Sequence, residues 1–310
     1  MNLKTYSNSD FDVKIIVGNG QNTKEFKAHS TILNSRSLYF QRALSERWNN
    51  KEHDFYVFKY PNIYPYTFRI ILDFIYEEKT KLRASAETCL NLMASSDELE
   101  LLNLAECAQE HLIKKNLSWL FSNLITSLNF ACQHDHFYKL YNLVLNFTCK
   151  NSYPLFNSKY FTLLDKVALI CLLKRDDLEL EEIEIWDYLI KWGIANSKKL
   201  HDDNISNLSN EDITSWSDNQ FEALKETISQ CIPLIRYCHI PKSYIDKQIK
   251  QYHLDSTDLC MDFDCWSYAR ADYYYKITNS SQFTVDDYEV FIVDNFNQSI
   301  NSVLKTTMEL

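Results

Sequence analysis

Between Asp12 and Tyr76 the spacing of apolar residues switches between two periods, and each switch marks an element. Asp12-Val13-Lys14-Ile15-Ile16-Val17 alternates polar and apolar positions, Gly18-Asn19-Gly20 supplies a turn, and Glu25-Phe26-Lys27-Ala28 returns. That pattern predicts a β-hairpin. Ile32, Leu33, Tyr39, Phe40 and Leu44 then mark two short helices, Phe55-Tyr56-Val57-Phe58 a third strand, and Phe68, Ile71, Leu72 and Ile75 a helix. A small mixed sheet of this kind must cover its apolar face with helices.

Further on, the pattern is helical for a long way. Helices are predicted over residues 86–97 and 101–114, then over 117–132, 136–149, 159–173, 182–191 and 218–228, with no fixed-period repeat. The stretch 199–215, rich in Asn, Asp and Ser, reads as a loop. From Cys265 the character changes again. Tyr273-Tyr274-Tyr275 and Gln282 to Val293 are rich in aromatic and β-branched residues and predict two or three strands, with 294–310 as a mobile tail. The fold class is α+β.

Composition narrows the function classes. The 310 residues include only 3 Gly and 5 Pro, which leaves few loops of the kind that cradle phosphates. A net charge of -10 with no basic stripe argues against a nucleic-acid partner. No apolar run approaches the ~20 residues of a membrane span, and residues 1–8 hold no apolar core of the secretory type. The 9 cysteines, an odd number spread through helical patterns, read as reduced, buried thiols. Cytoplasm, with the nucleus as an alternative, is the expected compartment.

Candidate chemistry is sparse. The groups Cys132-Gln133-His134-Asp135-His136 and Cys231, Cys238, His239, His253, Cys260, Cys265 lack the paired short spacings of a zinc module, so no metal or other cofactor is expected. Asp176-Asp177 and Glu179 to Glu184 read as a solvated, acidic helix start. Trp48 stands out because its surroundings, Ser45-Glu46-Arg47 and Asn49-Asn50-Lys51-Glu52, give no core period. An aromatic flanked by charges suits an interface anchor, and it equally suits a ring folded back on its own domain.

The motifs in order are Asp12-Val13, Phe26-Lys27-Ala28-His29 with Leu33, Ser37-Leu38-Tyr39-Phe40, Pro61, and the run Phe68 to Tyr76. They resemble a BTB (POZ) domain over residues 1–115. Leu128-Asn129-Phe130-Ala131, Ser158-Lys159-Tyr160-Phe161, the stretch Leu178 to Trp186, Leu189 to Gly193 and Pro233 to Tyr237 follow, and they resemble a helical BACK domain over 116–250. Within 251–310, the segment Asp258 to Val293 looks like the end of a TLDc domain.

These resemblances imply a non-catalytic protein-interaction protein with Asp12 and His29 as structural motif residues. They also imply contact with a cullin scaffold at Trp48, Asn49 and Asn50, while Tyr39 and Phe40 are further candidate partner-binding residues whose spacing is that of core positions. The family pattern there is a hydrophobic residue, any residue, then Glu, so Asn50 departs from it. Ser30 also departs, standing where many relatives carry Arg or Lys. With about nine residues ahead of the first strand, a monomer or weak homodimer is expected. Two readings follow: a substrate adaptor of a cullin-type ubiquitin ligase, or a non-ligase scaffold or degenerate relative that has lost the cullin contact.

Overall fold

The computed structural model describes residues 11–45, 51–52, 55–77, 82–202, 216–252, 290–292 and 304–306. These divide into two compact units, one comprising Met1–Ser122 with His136–Leu140 and the other Asn123–Asp135 with Tyr141–Leu310.

In the first unit, β1 (Val13–Val17) pairs antiparallel with β2 (Lys24–Ala28). Helices α1 (Ser30–Arg36) and α2 (Leu38–Ala43) follow, then β3 (Lys51–Glu52) and β4 (Phe55–Tyr60). β1 runs parallel to β4, so the sheet is mixed, in the order β2-β1-β4-β3. Alternation in β1 sends Val13, Ile15 and Val17 inward, all at 0% exposure. Phe68, Ile71, Leu72 and Ile75 form the buried face of α3 (Pro65–Glu77), and Phe68 packs on Phe26 of β2 at 5.2 Å. The short strand β3 falls in a polar stretch where no strand pattern was legible.

Helices α4 (Ala86–Glu98) and α5 (Leu102–Lys115) form a hairpin. The turn between them closes as a Schellman motif. Leu101 N–H donates to Ser96 O at 2.7 Å and Glu100 N–H to Asp97 O at 2.9 Å, with Glu100 at φ +54 in the position that usually holds Gly. Buried Gln109 of α5 accepts from the backbone N–H of Leu140 at 3.1 Å, satisfying a donor near the start of α8 (Tyr138–Lys150).

The predicted helix 117–132 is two helices, α6 (Leu117–Ser122) and α7 (Leu124–Gln133), because Asn123 leaves helical geometry at φ -121, ψ 51. Further helices of the second unit are α9 (Tyr153–Phe156), α10 (Lys166–Leu173), α11 (Glu182–Asn196), α12 (Lys198–Asp202) and α13 (Asp218–Ile228). Two expectations shift here. Residues 159–165 form a 3-10 turn, Phe161–Leu163, rather than the first half of a long helix, with Asp165 in extended backbone where α10 begins. Part of the expected 199–215 loop is α12, and residues 203–215 lie outside the described ones.

The acidic run is also not simply solvated. Glu181 and Glu184 form a capping box at the start of α11, and Glu182 is 3% exposed. Its Oε2 accepts the backbone N–H of Arg236 at 3.2 Å, which gives the buried carboxylate a partner. Asp176 pairs with the Arg236 guanidinium and Asp177 with that of Arg175. Burial pushes the Asp177 carboxyl up, but the Arg175 guanidinium outweighs it and holds the group below the usual carboxylate range.

Of the predicted carboxyl-terminal strands, Val290–Ile292 pairs antiparallel with Leu304–Thr306, so a strand occurs where a tail was expected. The rest of that segment, and the TLDc-like reading that rests on it, lie outside the described residues. Among the described residues no helix is long and apolar enough to cross a membrane.

Candidate partner-binding surface

Asp12 and His29 hold the first unit together at the end of its sheet. His29 precedes α1 but offers no side-chain cap to it. Asp12 supplies one from 18 residues away: its Oδ1 accepts the Ser30 backbone N–H at 2.7 Å and its Oδ2 the Ser30 hydroxyl. A carboxylate at a helix start also meets the positive end of the backbone dipoles. Ser30 thus replaces the charged partner that the resemblance led one to expect with two hydrogen bonds.

The His29 backbone N–H donates to the Tyr76 hydroxyl at 3.0 Å, and His29 Nδ1 lies within hydrogen-bonding distance of the same oxygen at 2.8 Å. The imidazole packs 4.6 Å from the Phe11 ring. Asp12→Ala is expected to lower stability by about 1–2 kcal/mol, and Asp12→Asn, which keeps an acceptor oxygen, by less. Urea midpoints of the three proteins check this, and equal losses from both substitutions would remove the capping explanation.

Of the residues expected to meet a partner, Trp48, Asn49 and Asn50 lie outside the described residues. Phe40 requires a correction: at 0% exposure it is core, set edge-on to Phe58 at 5.6 Å and to Tyr60 at 6.5 Å, so its side chain cannot reach a partner. Tyr39 is half-buried, 5.5 Å from Phe40 and 6.2 Å from Tyr60, and presents only part of its ring.

Among the exposed apolar side chains of the first unit, Leu38 and Leu102 stand close in sequence to one hydrogen-bonded joint. Ser37 is buried; its hydroxyl accepts from Phe40 N–H at 3.2 Å and donates to Leu99 O at 2.8 Å, pinning the start of α2 to the α4–α5 turn. Arg42 pairs with Glu100, and Asn62 Nδ2 donates to Glu98 Oε2 at 2.9 Å. Leu38, 62% exposed, directly follows Ser37, while Leu102, 68% exposed, opens α5. Tyr64 and Tyr66, at the start of α3, are exposed as well.

Helical geometry could have signalled Leu38, which sits about 200° around α2 from buried Phe40. No such signal existed for Leu102, whose spacing to Ala105 and Gln109 is that of a core position. Exposed apolar side chains such as Leu38 and Leu102, close in sequence to a hydrogen-bonded joint, suit non-covalent docking.

The chain matches the BTB/POZ domain family over residues 2–116 and the family described as BTB And C-terminal Kelch, or BACK, over 124–210. It is similar to Kelch-like protein 25 of Xenopus laevis, 27% identical over 184 residues, which is 58% of this chain and 29% of that protein. The Xenopus tropicalis protein of the same name aligns with the same figures. BTB/POZ domain-containing protein 7 of Mus musculus is 24% identical over 274 residues, 75% of this chain and 24% of the mouse protein. The chain therefore spans less than a third of the length of these relatives. With a helix-covered mixed sheet followed by a helical region, these matches establish a chain that carries a BTB/POZ domain and then a BACK domain, the architecture of a protein-interaction protein.

Proposed function

We propose that this protein is a non-catalytic substrate adaptor that bridges a cullin-type scaffold of a ubiquitin ligase and a target protein. The observation that carries the reading is the order of the domains, BTB then BACK, together with the similarity to Kelch-like protein 25. The exposed Leu38 and Leu102 beside the Ser37–Leu99 joint support it by offering apolar area on a fixed support. In this reading Trp48 anchors the cullin contact and the carboxyl-terminal part, with its TLDc-like stretch Asp258 to Val293, selects the target. The second reading, a scaffold without cullin binding, is favoured by Asn50 standing where the family pattern has an acid.

Binding isotherms against a purified cullin amino-terminal domain separate the two. The adaptor reading expects Trp48→Ala to weaken binding by about 2 kcal/mol, as loss of a buried aromatic anchor does. It expects Asn50→Glu to strengthen binding by about 1 kcal/mol through a charge-assisted hydrogen bond. If neither wild type nor Asn50→Glu binds while both remain folded by circular dichroism, the adaptor reading falls and the scaffold reading stands.

A further inference from the structure

Val13, Ile15 and Val17 of β1, Phe26 and Ala28 of β2 and Tyr60 of β4 are buried, so the residues between them face the other way, on the outer side of the sheet. The register sets those outer residues side by side. Lys14 stands opposite Lys27 of β2 and Val57 of β4, and Ile16 stands opposite Glu25 and Lys59. Phe55, two residues before Val57, joins the same face, and the Lys14 ammonium lies over its ring, 4.4 Å from the centroid. Lys27, Lys59 and Glu25 are exposed, while Lys14, Ile16, Phe55 and Val57 are half-buried.

This face is positive in a chain whose net charge is -10. It sets Lys14, Lys27 and Lys59 against Glu25 alone, and among the described residues none of these lysines forms an ion pair. Asp12 directly precedes β1, but its carboxylate is taken up by the Ser30 N–H and hydroxyl. Lys14 and Lys27 are directly opposite on neighbouring strands and repel each other, which costs stability in the isolated sheet. A carboxylate laid between them removes that cost, and another cation adds to it.

We propose that the outer face of this sheet docks an extended acidic segment of a partner protein, with an apolar side chain between its carboxylates. Lys27 and Lys59 lie two strands apart and two residues along, which puts their Cα atoms about 12 Å apart at a strand spacing of ~4.8 Å and a rise of ~3.3 Å per residue. Four residues of extended chain cover about 13 Å, so carboxylates at i and i+4 reach both lysines. The side chain at i+2 points the same way and meets Ile16 and the methylene stem of Lys14, which lie midway. Val57 and the Phe55 ring widen the apolar area beside Lys14. A nucleic acid or an anionic membrane extends beyond this face and meets the acidic remainder of the chain, which repels it. A short acidic segment stays on the lysines.

The inference is independent of the cullin contact, and no cullin enters its test. Full-length protein is titrated into a fluorescein-labelled peptide, Glu-Ser-Phe-Ser-Glu-Ser-Phe-Ser-Glu, and the anisotropy is read. The expected result is saturable binding that weakens as salt is raised, with no binding of the same peptide carrying Lys for Glu. Lys27→Glu combined with Lys59→Glu should weaken binding by roughly ten-fold or more, and Lys27→Gln with Lys59→Gln by less. Lys115→Glu combined with Lys191→Glu makes an equal change of net charge at exposed positions elsewhere, and it should leave binding within about two-fold of wild type. Each variant counts only if its circular dichroism matches wild type, and the Gln pair removes charge without adding any. The proposal is overturned if wild type does not bind the acidic peptide, if it binds the Lys peptide as well, or if the two Glu double variants weaken binding equally. It is equally overturned if wild type cosediments with phosphatidylserine vesicles and Lys27→Glu with Lys59→Glu abolishes that, because the face then serves a membrane surface.

Discussion

Trp186→Ala should cost about 3–5 kcal/mol of stability, the usual range for emptying a fully buried aromatic site. Trp186 is 1% exposed and meets two rings edge-on, Tyr237 at 6.2 Å and Tyr252 at 6.0 Å. Both partners come from the stretch after α13, so this one indole attaches the end of the described helical region to α11. Tyr237 is fixed in turn, its hydroxyl donating to Ile232 O at 3.2 Å, and it has little freedom to fill the space left behind. Trp186→Phe, which retains a ring, should lose less than half as much. Urea unfolding followed by circular dichroism measures the loss, and hydrogen exchange should show it in α11 and residues 232–252. A loss below about 1 kcal/mol would mean that the indole is not held in the core as described.

Gly18→Ala should destabilise the first unit by about 2–5 kcal/mol, for two reasons that add. Gly18 has φ +86, a backbone conformation that costs an L-residue energy even in open space. Space is also lacking: a Cβ there would lie 2.4 Å from the Asn22 carbonyl oxygen and 3.3 Å from Pro65 Cδ. The carbonyl belongs to the loop between β1 and β2 and cannot rotate away as a side-chain tip would. Gly18 N–H also donates to Tyr60 O at 3.1 Å, so a shift of the loop weakens the link from β1 to β4. Gly20 is the internal control. Its φ is +56 but a Cβ would meet nothing within 4 Å, so Gly20→Ala should cost only about 1 kcal/mol. Equal losses at the two positions, measured by urea unfolding, would show that the contact with Asn22 does not matter.

Much of the fold was written in local spacing. The alternation Val13, Ile15, Val17 and the helical set Phe68, Ile71, Leu72, Ile75 named the inner faces of sheet and helix, and each of those residues is buried. A period is a property of neighbours in the chain, so it survives being read one element at a time. The mixed sheet followed by helices was legible for the same reason, as were the motifs that resemble BTB and BACK domains.

What period could not give was any relation between distant residues. It had no means of showing that Asp12 caps α1 through Ser30 or that Glu182 is buried on the Arg236 backbone. Nor could it separate Phe40, enclosed by Phe58 and Tyr60, from Leu38 on the open side of the same helix. Each of those outcomes depends on which surfaces tertiary packing brings into contact. Hydrophobicity favours burying any apolar face, whereas which polar group becomes a cap or a buried carboxylate is decided only by the partner packed against it.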